Sequence, residues 1–201
     1  LRDRLPESVL LVIDGAYAEY AQEEDYIDGK SLISDAVNTV MTRTFSKVYA
    51  LAALRIGWAY APSHIIETLN KIRGPFNLST AAINAGAAAL DDQDHVKKSV
   101  DFNTEEKVNL LEEYREIMIP TTGGAANFLL LDLTNIDSIG FMGDEEIAEN
   151  MNKYLIHNNI YVRNVADYGL SCHLRITIGK REQNNFVLEK IQQYMRQGGF
   201  P

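Results

Sequence analysis

Apolar positions recur along the chain with two periods, and each change of period marks an element. VLLVID (9–14) is a short unbroken apolar run ending in aspartate, as expected of a strand buried in a parallel sheet. VNTVMTRTF (37–45) is β-branched and predicts a second strand; LRIGWAYA (54–61), closed by Pro62, predicts a third. From Ser63, which reads as an N-cap, the spacing becomes helical. Ile65, Ile66, Leu69 and Ile72 share one face until Gly74-Pro75 breaks it. STAAINAGAAALDD (79–92) is an alanine-rich helix whose small residues predict close packing. A long charged amphipathic helix follows from Gln93 to Ile117, ended by Pro120 and Gly123-Gly124.

The texture then shifts. NFLLLDL (127–133), IYVRNV (160–165) and the alternating HLRITIG (173–179) predict strands. GDEEIAENMNKYLIHN (143–158) and REQNNFVLEKIQQYMRQ (181–197) predict helices. There is no repeat and no low-complexity segment. The organisation expected is an α/β portion over 1–92, a connecting helix over 93–120 and a smaller α+β portion over 121–201. The chain opens without methionine and runs almost at once into a buried-type strand, so a piece of a larger fold is expected.

Composition narrows the function classes. In 201 residues, 46% are hydrophobic and 23% charged, which is ordinary for a globular protein. A net charge of −9 argues against a nucleic-acid binder, which needs a basic face, but not against small phosphorylated ligands. No apolar run is long enough for a membrane helix and no signal-peptide pattern opens the chain. The single Cys172 excludes an internal disulfide framework and suits a reducing cytoplasm.

The candidate chemistry sits at the ends of the first three predicted strands. After Arg43, the stretch 42–62 carries only two formal charges, Lys47 and Arg55, among Val, Ala, Leu, Ile, Trp and Tyr. Desolvating a cation costs several kcal/mol unless something pairs with it. Asp14 and Tyr17 follow the first strand, Thr44, Ser46 and Lys47 follow the second, and Arg55 opens the third. Strand ends of an α/β sheet are where ligands bind. Together these residues are what pyridoxal 5′-phosphate requires. An amine condenses with its aldehyde, a carboxylate keeps its pyridine nitrogen protonated, and a phenol bonds its 3-oxygen. Hydroxyls and an arginine hold its phosphate.

Those residues also carry a resemblance. D-x-A-Y at 14–17, T-x-S-K at 44–47 and an arginine eight after the lysine look like a fold-type-I pyridoxal-phosphate aminotransferase. VIDGAYAEY, TRTFSKVYALAALRIGWAYAP, RGPFNLSTAAINAGAAAL, ANFLLLDL and DYGLSCHLRITIG, in that order, resemble the histidinol-phosphate aminotransferase family. The resemblance implies the C-terminal part of a large mixed-sheet cofactor domain followed by a small α+β C-terminal domain. It implies a cytoplasmic homodimer in histidine biosynthesis, which converts histidinol phosphate and 2-oxoglutarate to imidazole acetol phosphate and glutamate. Lys47 would carry the cofactor and move the substrate proton, with Asp14 at the pyridine nitrogen and Tyr17 at the 3-oxygen. Thr44, Ser46 and Arg55 would hold the phosphate. Arg175 matches the arginine that grips a substrate carboxylate, and Arg163 a position that meets the substrate phosphate. The family's upstream glycine-rich turn, ring-stacking aromatic, asparagine near the 3-oxygen and tyrosine from the neighbouring subunit have no counterpart here. Ala53 stands where a glycine is common. A weak grip on cofactor by this chain alone is therefore expected.

Several of these residues also have a plainer reading: Lys47 as a snorkelling surface lysine, Asp14 as a helix N-cap, Arg175 as a solvent-facing cation or half of an ion pair. His64, His95, His157 and His173 have no metal-ligand spacing. Cys172 and His173 are neighbours whose side chains would diverge in a strand, and Gly179-Lys180 lacks the rest of a phosphate loop. Competing functions are an aromatic amino-acid aminotransferase or a threonine-phosphate decarboxylase of the same fold and, in another class, a non-catalytic assembly module.

Overall fold

The computed structural model describes residues 1–34, 38–134, 136 and 143–198, with the backbone alone at Asp144. It divides into two compact units, Leu1–Val100 and Asp101–Pro201.

In the first unit, β1 (Leu11–Asp14), β2 (Thr39–Thr44) and β3 (Gly57–Tyr60) form a sheet in that order. β1 runs parallel to β2, from Leu11 opposite Thr39 to Asp14 opposite Thr42, while β3 is antiparallel. A parallel pair needs a long crossover. Here the crossover over 15–38 contains single 3-10 turns at Ala18–Tyr20 and Lys30–Leu32. Val37, the first residue of the second expected strand, lies outside the described residues. The third strand is shorter than its apolar pattern suggests, because Ala52–Leu54 form a 3-10 turn. Arg55 closes that turn at φ 54° and so precedes the strand instead of opening it.

α1 (Ser63–Ile72) starts at Ser63 itself, with Pro62 in the cap position and no capping side chain, which corrects the expected N-cap. α2 (Thr80–Asp91) is capped by Ser79, whose Oγ accepts the Ala82 N–H at 3.1 Å. Its small residues do pack closely. Ala82 is buried against Phe45 and Ile56, and a Cβ on Gly86 would meet Ile56 Cδ1 at 3.4 Å. α3 (Gln93–Glu116) begins in this unit and runs through its boundary. Its first turns place Val96 and Val100 against Tyr20 and Val48.

The second unit is an antiparallel sheet, β4-β5-β7-β6, of β4 (Thr121–Thr122), β5 (Phe128–Asp132), β6 (Arg163–Asn164) and β7 (His173–Thr177). α4 (Asp144–His157) and α5 (Arg181–Arg196) pack with it around one core that includes Leu129, Leu131, Met151, Leu155, Leu174 and Ile191. Of the expected strand 160–165 only Arg163 and Asn164 pair. Ile160 donates its N–H to Leu155 O and Asn159 sits at φ 60°, so the start of that apolar run closes α4. A polar network centred on buried Glu106 ties α3 to the start of α5. Glu106 accepts from Arg181 at 2.7 Å and from Asn184 Nδ2 at 2.8 Å, and Asn184 in turn bonds both backbone groups of Gly179. Burying Glu106 is tolerable because both its oxygens are satisfied.

Candidate functional site

β2 delivers its chemistry at its C-terminal end, beyond Thr44. Residues 45–51 form a closed loop: Phe45 donates to Ile56 O at 3.1 Å, Ala50 to Lys47 O at 2.9 Å and Leu51 to Phe45 O at 2.9 Å. Phe45 and Val48 anchor it from below in two separate apolar clusters. His95 Nε2 lies 3.0 Å from Val48 O, a second tie on the residue next to Lys47. Ala50 and Arg55 both adopt left-handed backbone, at φ 57° and 54°. Such residues cost on the order of 1 kcal/mol or more each and gather at functional sites.

Thr44 Oγ1 donates to Ile56 O at 3.4 Å and accepts the Ser46 N–H at 3.0 Å. The Ser46 hydroxyl then stands free of the backbone ladder, 3.4 Å from Arg55 Nη1, which also donates to Ala52 O at 2.7 Å. Among the described residues neither Arg55 nor Lys47 has a carboxylate within ion-pair distance. Lys47 Nζ instead lies 4.9 Å above the ring of Tyr17.

Tyr17 and Asp14 belong to a run of tight turns leaving β1. Asp14 Oδ1 accepts the Ala16 N–H at 3.1 Å, so the carboxylate folds its own turn and does not cap a helix. Gly15 donates to Thr42 O at 2.9 Å on β2. A Cβ on Gly15 would fall 2.9 Å from that carbonyl and 3.0 Å from Arg43 Cδ, so only glycine permits this approach. Asp14 and Thr44 end β1 and β2, Tyr17, Ser46 and Lys47 lie on the turns that follow them, and Arg55 stands just before β3. Lys47 with Tyr17, and Ser46 with Thr44 and Arg55, are in direct contact.

Arg43, which the sequence pattern did not single out, is nine-tenths buried and pairs with Glu19 at 3.5 Å and Asp28 at 3.1 Å. Tyr49 feels the same cluster: burial and the Glu19 charge push its hydroxyl up, and Arg43 draws it down. A concavity of about 760 Å³ in this unit is lined by Met41, Arg43, Trp58 and Tyr60, with Tyr26 and Ile27. None of the six candidate residues lines it, so its size does not make it the candidate site.

The two arginines assigned to substrate lie in the second unit, directly opposite each other in the β6–β7 register. Like charges facing across a ladder are destabilising unless something answers them. The Arg175 guanidinium stacks 4.7 Å from the Phe128 ring and its buried Nε has no hydrogen-bond partner among the described residues; Arg163 is exposed. Two residues before Arg175, His173 Nε2 lies 3.6 Å from Asp132 Oδ1. Burial pushes the Asp132 carboxyl up, but bonds from Thr134 and the His173 charge outweigh this and leave it below the ordinary carboxylate range.

Three comparisons bear on these observations. The family model for aminotransferase class I and II matches residues 1–191. The histidinol-phosphate aminotransferase of Granulibacter bethesdensis is 42% identical over 98% of this chain and 51% of its own length. That of Rhodopseudomonas palustris is 40% identical over 98% of this chain and 52% of its own length. The chain therefore spans about half the length of the curated relatives it matches. Among solved structures, histidinol-phosphate aminotransferase from Sinorhizobium meliloti, in complex with pyridoxal-5′-phosphate, superposes with a TM-score of 0.83. It is 27% identical, over 96% of this chain and 50% of that one.

Proposed function

The chain belongs to the class I and II aminotransferases, and from that premise we propose that it carries the cofactor lysine of a histidinol-phosphate aminotransferase. The reaction proposed joins histidinol phosphate and 2-oxoglutarate to give imidazole acetol phosphate and glutamate, with pyridoxal 5′-phosphate as cofactor. The 40–42% identity to relatives of that name supports the substrate. The observation that carries the reading is Lys47, an amine 4.9 Å over a phenol ring with no carboxylate partner among the described residues. The first unit is then the C-terminal part of a cofactor domain and the second the small domain.

The residues fit the cofactor. Arg55 and Ser46, 3.4 Å apart, are a cation and a hydroxyl suited to a phosphate, and Thr44 orients Ser46 through its backbone N–H. Asp14 is assigned to the pyridine nitrogen and Tyr17 to the 3-oxygen. Bound pyridoxal phosphate supplies an electron sink that makes the α-hydrogen of an amine substrate acidic. Lys47 Nζ would hold the cofactor and, once a substrate amine has displaced it, would be the free amine placed to take that proton; the Tyr17 ring lies 4.9 Å beneath it. Arg175 and Arg163 are assigned to anionic groups of the substrates: the 2-oxo acid carboxylate for Arg175, the histidinol phosphate ester for Arg163. Two facing cations, one with an unanswered buried Nε, support an anion there. A cytoplasmic homodimer belongs to the same reading.

Steady-state turnover of histidinol phosphate against phenylalanine, each with 2-oxoglutarate, tests the substrate. The expected result is a much larger kcat/KM for histidinol phosphate; faster turnover of phenylalanine would reassign the chain to an aromatic aminotransferase.

A further inference from the structure

The geometry points to Arg43 as a positioning residue that fixes the cofactor-facing Asp14 and Tyr17 against the strand that carries Lys47; this inference rests on the cofactor reading above. Tyr17 lies between two attachments to β2, and neighbouring residues supply them. On one side Gly15 donates to Thr42 O at 2.9 Å. On the other, Glu19 and Asp28 pair with the two terminal nitrogens of Arg43, at 3.5 and 3.1 Å. Between them the backbone is locked in consecutive turns, Ala18 donating to Gly15 O at 3.1 Å and Tyr20 to Tyr17 O at 3.0 Å. The stem of Arg43 closes the arrangement from above, since a Cβ on Gly15 would lie only 3.0 Å from Cδ and 3.1 Å from Nε.

An arginine is needed for geometric reasons. One guanidinium reaches two carboxylates from different turns of the crossover, and its fork fixes both at once; a lysine offers a single point of charge. The Arg43 side chain is nine-tenths buried and Glu19 is largely so, which shields that pair from solvent, while Asp28 is partly exposed. Arg43 stands four residues before Lys47 on the same strand exit. It therefore references the phenol and carboxylate turn to the amine without touching the cofactor itself.

The test titrates pyridoxal 5′-phosphate into the full-length protein and its Arg43→Lys, Arg43→Met and Asp28→Asn variants. Absorbance gives affinity and the pH midpoint of the bound cofactor's absorption band; the melting temperature of the cofactor-free protein is followed in parallel. Arg43→Lys is expected to weaken binding by about tenfold or more and to displace the pH midpoint, because the groups facing the ring nitrogen and 3-oxygen move. Asp28→Asn, which releases one of the two carboxylates, should move both readouts the same way by less. A purely structural arginine would lower the melting temperature and leave the midpoint where it was. An Arg43→Lys variant with wild-type affinity and midpoint overturns the inference. Should Arg43→Met fail to fold, the other two variants decide it. Wild-type protein that takes up no cofactor would be the failure of the cofactor reading, visible before any substitution, and would take this inference with it.

Discussion

The two units are held together in different ways. In the second, Leu129, Leu131, Leu133, Ala148, Met151, Leu155, Leu174, Ile191 and Tyr194 are completely buried in one core. In the first, two clusters of three buried residues sit beneath the Lys47 loop and the turn after β1. Large apolar side chains such as Val12, Trp58, Ile72 and Phe76 remain exposed, Phe76 at 98%. What fixes the first unit's chemistry is polar and local instead: an Asx turn at Asp14, a glycine pressed to a carbonyl, a buried arginine between two acids, a hydroxyl-ordered turn at Thr44. Burial stabilises in proportion to area and tolerates no cavities. Short neutral polar ties set direction and add little net stability, whereas breaking the buried Arg43 pairs would be costly. Substitutions of the first unit's cofactor-facing side chains should therefore register mainly as lost function, and those in the second unit's core as lost stability.

Lys47→Ala offers the sharpest break of that contrast. It should lower turnover by about 10⁴-fold or more while changing stability by no more than about 1 kcal/mol, the scale of its contact with Tyr17. Kinetics and denaturant unfolding of the same preparation check both halves. Leu129→Ala is the mirror image. Removing a completely buried side chain from the large core should cost about 2–5 kcal/mol, read as a lower unfolding midpoint, with cofactor affinity of the folded fraction retained. Ser79→Ala removes the α2 cap and should cost roughly 1 kcal/mol. Since α2 supports the Lys47 loop through Ala82 and Gly86, hydrogen exchange should rise first at that helix's start.

The smallest effect concerns Asp132. Its folded carboxyl lies below the ordinary value of 3.8, so its contribution is complete above that pH and is lost as pH falls through the folded value. Acid unfolding of Asp132→Asn should be slightly shallower than wild type in that window and parallel to it above. Equal slopes there would remove Asp132 from the account.

What could be read from the sequence follows the same divide. In the second unit β7 alternates in sequence because one face is buried in a deep core, while β5, FLLLD, reads as an apolar run whose burial nevertheless alternates. β4 escaped notice because two threonines are too short to show a period. In the first unit the site's residue types were legible, since a lysine and an arginine in apolar surroundings require partners whatever the backbone does. Their local geometry was not. LRIGWAYA reads as continuous strand, and nothing in it announces a non-glycine residue at φ 54°. Ser63 looked like a cap because serine usually caps, yet the helix takes it as its first residue after Pro62. Nothing in the pattern around Arg43 announces a buried cation. Its partners Glu19 and Asp28 come from a crossover built of 3-10 turns, which carries no periodic signal.

The central claim is that Lys47 is the amine that holds the cofactor. Incubation of the full-length protein with pyridoxal 5′-phosphate, reduction with borohydride and peptide mass spectrometry test it directly. The account predicts stable modification at Lys47 and at no other lysine of the chain. Label distributed over surface lysines such as Lys71, Lys98 and Lys153, with Lys47 unmodified, would contradict it.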